Sequence, residues 1–345
     1  MTRRNRGRLA MLAGAFTMVG GAACGAQPDE ALDASPMDAS SPVPEAAPEA
    51  AVVKPPAPFD GSVLGTTCVM PNPPASGLPN PAMYDTSITG IVFDRLTGLM
   101  WQRAPSATTY TQAAAATACK GSTLGGYTDW RLPSVVELVS IVDFTATSPS
   151  VDAVAFPGTS AGLYWTSTLL ASNPQNAWFV SFIAGQTDFV YATDSNLARC
   201  VRTAMNMAAA CRASATRFKV NAAMVTDSST GLVWPQAVPT PAQTWSAAKA
   251  SCDAAGGGSR LPSLKELQTL VDYGMVYPGP GPAIDPTAFP STPVGAYWTS
   301  SPFSGSDSAF WMVRFDYGDT ASSAVVSTPA QPLSGVDTKY VRCVH

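Results

Sequence analysis

Two short blocks, R-L-P-S-V-V-E-L and R-L-P-S-L-K-E-L, set an arginine, a serine and a glutamate close together: Arg131, Ser134 and Glu137, then Arg260, Ser263 and Glu266. A carboxylate in such a block is available for acid–base work. The S-x-x-E spacing is also that of a capping box, in which the serine caps the third helical amide and the glutamate reaches back. That helical role accounts for both glutamates. The arginines suit carbonyls or carboxylates, or a ligand. Arg199, Arg202 and Arg342, which flank the two R-C-V blocks, are the other candidates for an anion-binding patch. Histidine catalysis inside a domain is closed off, because the one histidine is His345. Scarcity of histidine also disfavours a zinc site. No cofactor is expected. Calcium is the one ion to weigh, because Asp316 and Asp319 stand three apart in F-D-Y-G-D-T and calcium loops use clustered oxygens; a solvated β-turn is the favoured explanation of the pair, since the first copy has only Asp188 nearby.

Eight tryptophans are candidates for stacking on a sugar face or an interface. Trp101 and Trp234, Trp165 and Trp298, and Trp178 and Trp311 fall at matched positions among apolar neighbours, which predicts core. Trp130 and Trp245 are unmatched and are the candidates for contact with a ligand. Seven cysteines complete the set. With Cys24 set aside, six remain, an even number that predicts three disulfides in an exported chain.

These residues sit in one sequence written twice. Residues 93–202 and 226–344 share T-G-L-M/V-W, R-L-P-S-x-x-E-L, Y-W-T-S, an aromatic run and R-C-V, in that order. Thr97-Gly98 and Thr230-Gly231 read as turns entering strands. Thr111 and Thr244 precede Ala-rich runs ending in Cys119 and Cys252, the pattern of an N-cap and a short helix. A second helix follows each capping box, and its apolar spacing extends to about Phe144 and Tyr273. Aromatic and β-branched stretches at 164–167, 177–182 and 197–202 read as antiparallel strands. The fold class is therefore α+β: two tandem domains, each with two helices, a small antiparallel sheet and long loops. Matched positions pair Cys119 with Cys200 and Cys252 with Cys343, leaving Cys68 with Cys211 by elimination.

Ahead of the repeats, residues 1–23 read as a signal peptide: four arginines (Arg3, Arg4, Arg6, Arg8), then a short apolar run. That run is about half of the roughly 20 residues a membrane span needs. Gly21-Ala22-Ala23-Cys24 resembles a lipoprotein box, with Gly21 where leucine is usual, and makes Cys24 the expected lipidation site. Residues 24–58 are rich in Pro and Ala with few large apolar side chains, a disordered tether. The domains are then placed at 59–205 and 206–345. Without the four signal arginines, 16 of the 20 basic residues face 24 acidic ones, a balance of −8. That argues against a nucleic-acid partner.

The ordered string T-G-L-M-W-Q, G-Y-T-D-W-R-L-P-S-x-x-E-L, Y-W-T-S and R-C-V-R resembles the Lcl C-terminal domain family of exported bacterial modules. The resemblance covers about 84–203 and again about 217–345. The second copy departs from it at Gly258-Ser259, opposite Asp129-Trp130, and at Trp234-Pro235, opposite Trp101-Gln102. T-W-S-A-A-K-A-S-C followed by R-L-P-S-L-K-E-L is similar, more distantly, to the opening of a C-type-lectin-like domain, a fold shared by formylglycine-generating-type enzymes. The resemblance implies a lectin-like fold and a surface or adhesion role. It implies no catalytic site, and the lectin sugar-binding triplets are missing from both domains. The expectation is a membrane-anchored envelope lipoprotein, at the outer membrane or cell surface, that touches the bilayer only through its N-terminal lipid. It would be a non-enzymatic binder of an extracellular polysaccharide, glycoconjugate or envelope protein. The ligand-binding candidates are Trp130, Arg131, Arg199, Arg202, Trp245, Arg260 and Arg342. A structural assembly role without a small ligand is the alternative, and an enzyme on the formylglycine-generating-type fold stands behind it.

Overall fold

A computed structural model describes residues 70–204, 217–275, 281–304, 309–324 and 337–345. The segments expected to be signal peptide and tether, and the cysteines Cys24, Cys68 and Cys211, lie outside the described residues.

Each T-G-L block builds a strand by the expected route. Asp94 and Asp227 accept the amides of the turn that follows them, and Gly98 and Gly231 sit at positive φ where the chain reverses. In repeat 1, β1 (Tyr84–Asp85), β2 (Ile91–Asp94), β3 (Leu99–Gln102) and β7 (Val201–Thr203) form one antiparallel sheet. A second sheet holds β4 (Leu163–Leu169), β5 (Asn176–Ser181) and β6 (Thr187–Tyr191). Repeat 2 forms β8 (Phe218–Asn221), β9 (Met224–Asp227) and β10 (Val233–Pro235), then β11 (Ala296–Pro302), β12 (Ala309–Arg314) and β13 (Thr320–Ala324). Val233 and His345 exchange both backbone bonds, matching the β3–β7 pairing of repeat 1.

The helices start where their caps predict. Thr111 caps α1 (Gln112–Lys120) and Thr244 caps α3 (Trp245–Ala254), each accepting the third helical amide. Ser134 with Glu137 and Ser263 with Glu266 form complete capping boxes on α2 (Val135–Ser140) and α4 (Leu264–Gln268). Both second helices stop several residues before Phe144 and Tyr273. Beyond them the chain makes i+3 turns, with Ile141 and Val142 bonded to Leu138 and Val139. The apolar spacing persists through those turns, which is why periodicity overstates the helix.

All six matched tryptophans are buried. Disulfides join Cys119 to Cys200 and Cys252 to Cys343, each running from the Ala-rich helix to the R-C-V segment. The repeats also exchange side chains. Phe144 of repeat 1 belongs to the apolar cluster of repeat 2, and the equivalent Tyr273 packs against the cluster of repeat 1, 5.0 Å from the Trp178 ring. At the same junction the Thr187 amide donates to Thr320 Oγ1 at 2.9 Å, joining β6 to β13.

Candidate functional site

The R-L-P-S-x-x-E block is one electrostatic unit in the folded chain. Arg131 and Val201 exchange backbone bonds, which fixes the arginine beside the sheet. Its guanidinium forks onto Glu137 at 2.8 and 2.6 Å, and Glu137 Oε2 also accepts the Ser134 amide at 2.8 Å. Burial pushes the Glu137 carboxyl upward, but Arg131 and Ser134 outweigh it and hold the pKa below the usual range. Arg260 and Glu266 repeat the fork at 2.8 and 2.7 Å. Both arginines thus brace a helix cap.

Arg199 and Arg342 lie inside the fold. Arg199 donates to Gln102 O (2.5 Å), Arg103 O (2.8 Å) and Thr159 Oγ1 (2.5 Å) beneath the Phe156 ring. Arg342 donates to Pro235 O (2.6 Å), Gln236 O (3.2 Å) and Thr292 Oγ1 (2.8 Å) beneath Phe289. Burial lowers each guanidinium to about 10, so both stay protonated near neutrality. Their relative exposure is 0%, and that places them out of reach of a ligand at the surface. Arg202 is also buried; it pairs with Asp129 at 2.6 Å and lies 3.8 Å from the Tyr127 ring centre. The anion-binding patch expected of Arg199, Arg202 and Arg342 is therefore corrected to internal bracing. Trp130 is likewise a core residue, its indole donating to Leu124 O at 3.0 Å. Trp245 is half-buried, donates to Thr299 O and stacks on Phe310 with ring centres 3.6 Å apart. In the acidic loop, Asp319 pairs with Arg314. Among the described residues no group of three or more His, Cys, Asp or Glu is placed to hold a metal, and no helix is long and apolar enough to cross a membrane.

Of the candidates, Arg131 lines a concavity among the described residues. This is a cleft of about 460 Å³ at the junction of the repeats. Repeat 1 contributes the T-G-L turn at Thr97 and Leu99, the α2 residues Val136, Glu137 and Ser140, and Ser134 and Ser167. Repeat 2 contributes Arg217, the turn residues Ser229 and Thr230, and Thr269 and Val271 beyond α4. Arg217 forks onto Asp227 at 3.0 and 2.7 Å and donates to Thr269 O at 2.9 Å. The lining combines hydroxyls, the apolar side chains of Met70, Leu99, Val136 and Val271, and two carboxylate-paired guanidiniums. Such a lining suits non-covalent capture of a small polar ligand. Sequence reasoning missed Val136, Arg217, Ser229 and Thr269, because none lies in a motif of chemical side chains. The signal available was the mismatch of Val136 with Lys265, the change of chemical character inside a block whose other difference, Val135 against Leu264, keeps an apolar side chain.

No curated protein sequence matches the chain. The model of the Lcl C-terminal domain matches twice, over residues 90–202 and 223–345. The two matches coincide with the two copies of the fold, and the chain belongs to the Lcl C-terminal domain family as a tandem of two such domains.

Proposed function

We propose that this chain is an exported, envelope-anchored recognition protein that binds an extracellular glycan, free or carried on a surface glycoconjugate, without transforming it. The observation that carries this reading is the cleft between the repeats, whose lining joins hydroxyls, apolar side chains and planar ion pairs. Clefts between domains, with few polar groups convergent on an apolar base, are the common form of small-ligand sites. The two disulfides agree with an oxidising compartment outside the cytoplasm. A disulfide from the first helix to the R-C-V segment, with capped helices beside small sheets, supports a C-type-lectin-like reading of each domain. Within that reading the anchor is a lipid on Cys24, after removal of residues 1–23.

The test is a glycan array probed with the mature chain, with and without chelator. Specific binding that survives chelation is expected. Absence of signal on every glycan, together with co-purification of an envelope protein, would replace recognition of a glycan by an assembly role. Intact mass and lipid labelling of the wild type against Cys24→Ala check the anchor.

A further inference from the structure

Helices α2 and α4 pack against each other across the repeat junction, and they differ at their second residue. α4 carries Lys265 where α2 carries Val136. Lys265 runs into the junction and is 1% exposed. Its ammonium donates to Ser140 O at the end of α2 and to Pro71 O, each at 2.7 Å. It therefore satisfies a carbonyl that a helix terminus leaves without an intrahelical partner. In the other half the matching carbonyl is Thr269 O, and Arg217, just ahead of β8 in the same repeat, satisfies it. The side chain corresponding to Lys265 is the short Val136, and the cleft lies there. The filled half is also closed around its ion pair: Glu266 and Arg260 side chains are 1% and 25% exposed, against 24% and 43% for Glu137 and Arg131.

We propose that the exchange of Lys265 for Val136 leaves the tandem with one ligand site per chain, and that the site takes an uncharged polyhydroxylated ligand, a neutral saccharide. The proposal rests on the reading of the cleft as the recognition site. Its charge class follows from the pairing. Arg131 is forked onto Glu137 and Arg217 onto Asp227, so two cations meet two anions and no net charge is offered to either sign of ligand. Ser167 of repeat 1 and Ser229 of repeat 2 both line the cleft, and each can donate and accept, as a polyol's own hydroxyls do. Leu99, Val136 and Val271 add apolar lining that suits the C–H face of a sugar ring.

The test is calorimetric titration of the mature chain with short neutral gluco-, manno- and galacto-oligosaccharides and, in parallel, with heparin and oligogalacturonate fragments. A neutral oligosaccharide is expected to bind with one ligand per chain. Val136→Lys fills the cleft and should weaken that binding by about tenfold or more, whereas Lys265→Met should leave it unchanged. Hydrogen exchange on the wild type gives a readout that does not depend on the variant folding: amides of 134–140 and 229–232 should slow when the neutral ligand is added. Two ligands per chain, binding confined to the anionic fragments, insensitivity to Val136→Lys in a normally folded variant, or protection elsewhere would each overturn the inference while leaving glycan recognition standing. Failure of the wild type to bind any glycan would overturn both.

Discussion

Arg199 and Arg342 each direct a buried guanidinium onto two backbone carbonyls and a threonine hydroxyl, with no carboxylate among the bonded partners. A planar fork can hold several acceptors at once, which a lysine ammonium on a flexible stem cannot do in the same geometry. Arg199→Ala leaves Gln102 O and Arg103 O buried without this donor. It should cost about 2–4 kcal/mol in urea unfolding, with Arg199→Lys recovering only part of the loss. Lys265 behaves differently because burial lowers its pKa from 10.5 to about 7, against the pull of Asp143 and Asp94. Below about pH 7 both folded and unfolded chains carry the proton. Between about pH 7 and about pH 10 the unfolded chain holds a proton that the folded chain has lost, so stability rises with pH across that window. The urea midpoint of the wild type should climb through it, and Lys265→Met should flatten the climb. A wild-type midpoint that stays level would mean that the ammonium remains charged between the two carbonyls.

At the scale of elements, the starts of helices were legible and their ends were not. A cap is a local device, so Thr111, Ser134, Thr244 and Ser263 could be read from sequence, and each sits at its N-terminus. The ends of α2 and α4 depend on i+3 turns that keep the same apolar spacing, so periodicity carried the helices too far. The strands at Y-W-T-S and at the aromatic runs were legible from side-chain type, whereas β6 and β13 went unread, although each closes a short hairpin with the strand just before it, β5 or β12. Trp130 lacked a partner in the second copy and so read as individual, yet it fills core in the first. Ser134→Ala and Ser263→Ala should each cost about 1 kcal/mol, measured by chemical unfolding. Glycines separate by what surrounds them. Gly158 has φ +67° and nothing near an added Cβ, so Gly158→Ala pays chiefly backbone strain, about 1 kcal/mol. Gly185 has φ +102° and would place a Cβ 2.8 Å from Val142 Cγ1. Gly185→Ala should therefore cost more, about 2–3 kcal/mol, and equal midpoints for the two variants would refute the close approach.

At the scale of the whole molecule, the repeats are joined by reciprocal loans rather than by a linker alone. Phe144 and Tyr273 hold equivalent positions after their capping serines, and each packs with the other repeat's core. Gly185 faces Trp311 and Gly318 faces Trp178, so the exchange is symmetric in kind. This is also why the candidate site was hard to see in sequence. A cleft formed by docking two copies has walls from both, and no single-copy motif names it. The mismatch of Val136 with Lys265 pointed there, from inside the R-L-P-S-x-x-E-L block. The loan makes a prediction about cooperativity. Phe144 has no exposed surface and lies among Leu264, Leu267 and other residues of the repeat 2 cluster, so Phe144→Ala should cost about 3–5 kcal/mol. Because the lost contacts belong to the partner repeat, the destabilisation should appear in both. Hydrogen exchange would then show amides of β5 and β12 losing protection by similar amounts, within one unfolding transition. If β5 loosened and β12 kept its wild-type protection, the repeats would be independent units, and the junction would contribute shape to the cleft without contributing stability to the second repeat.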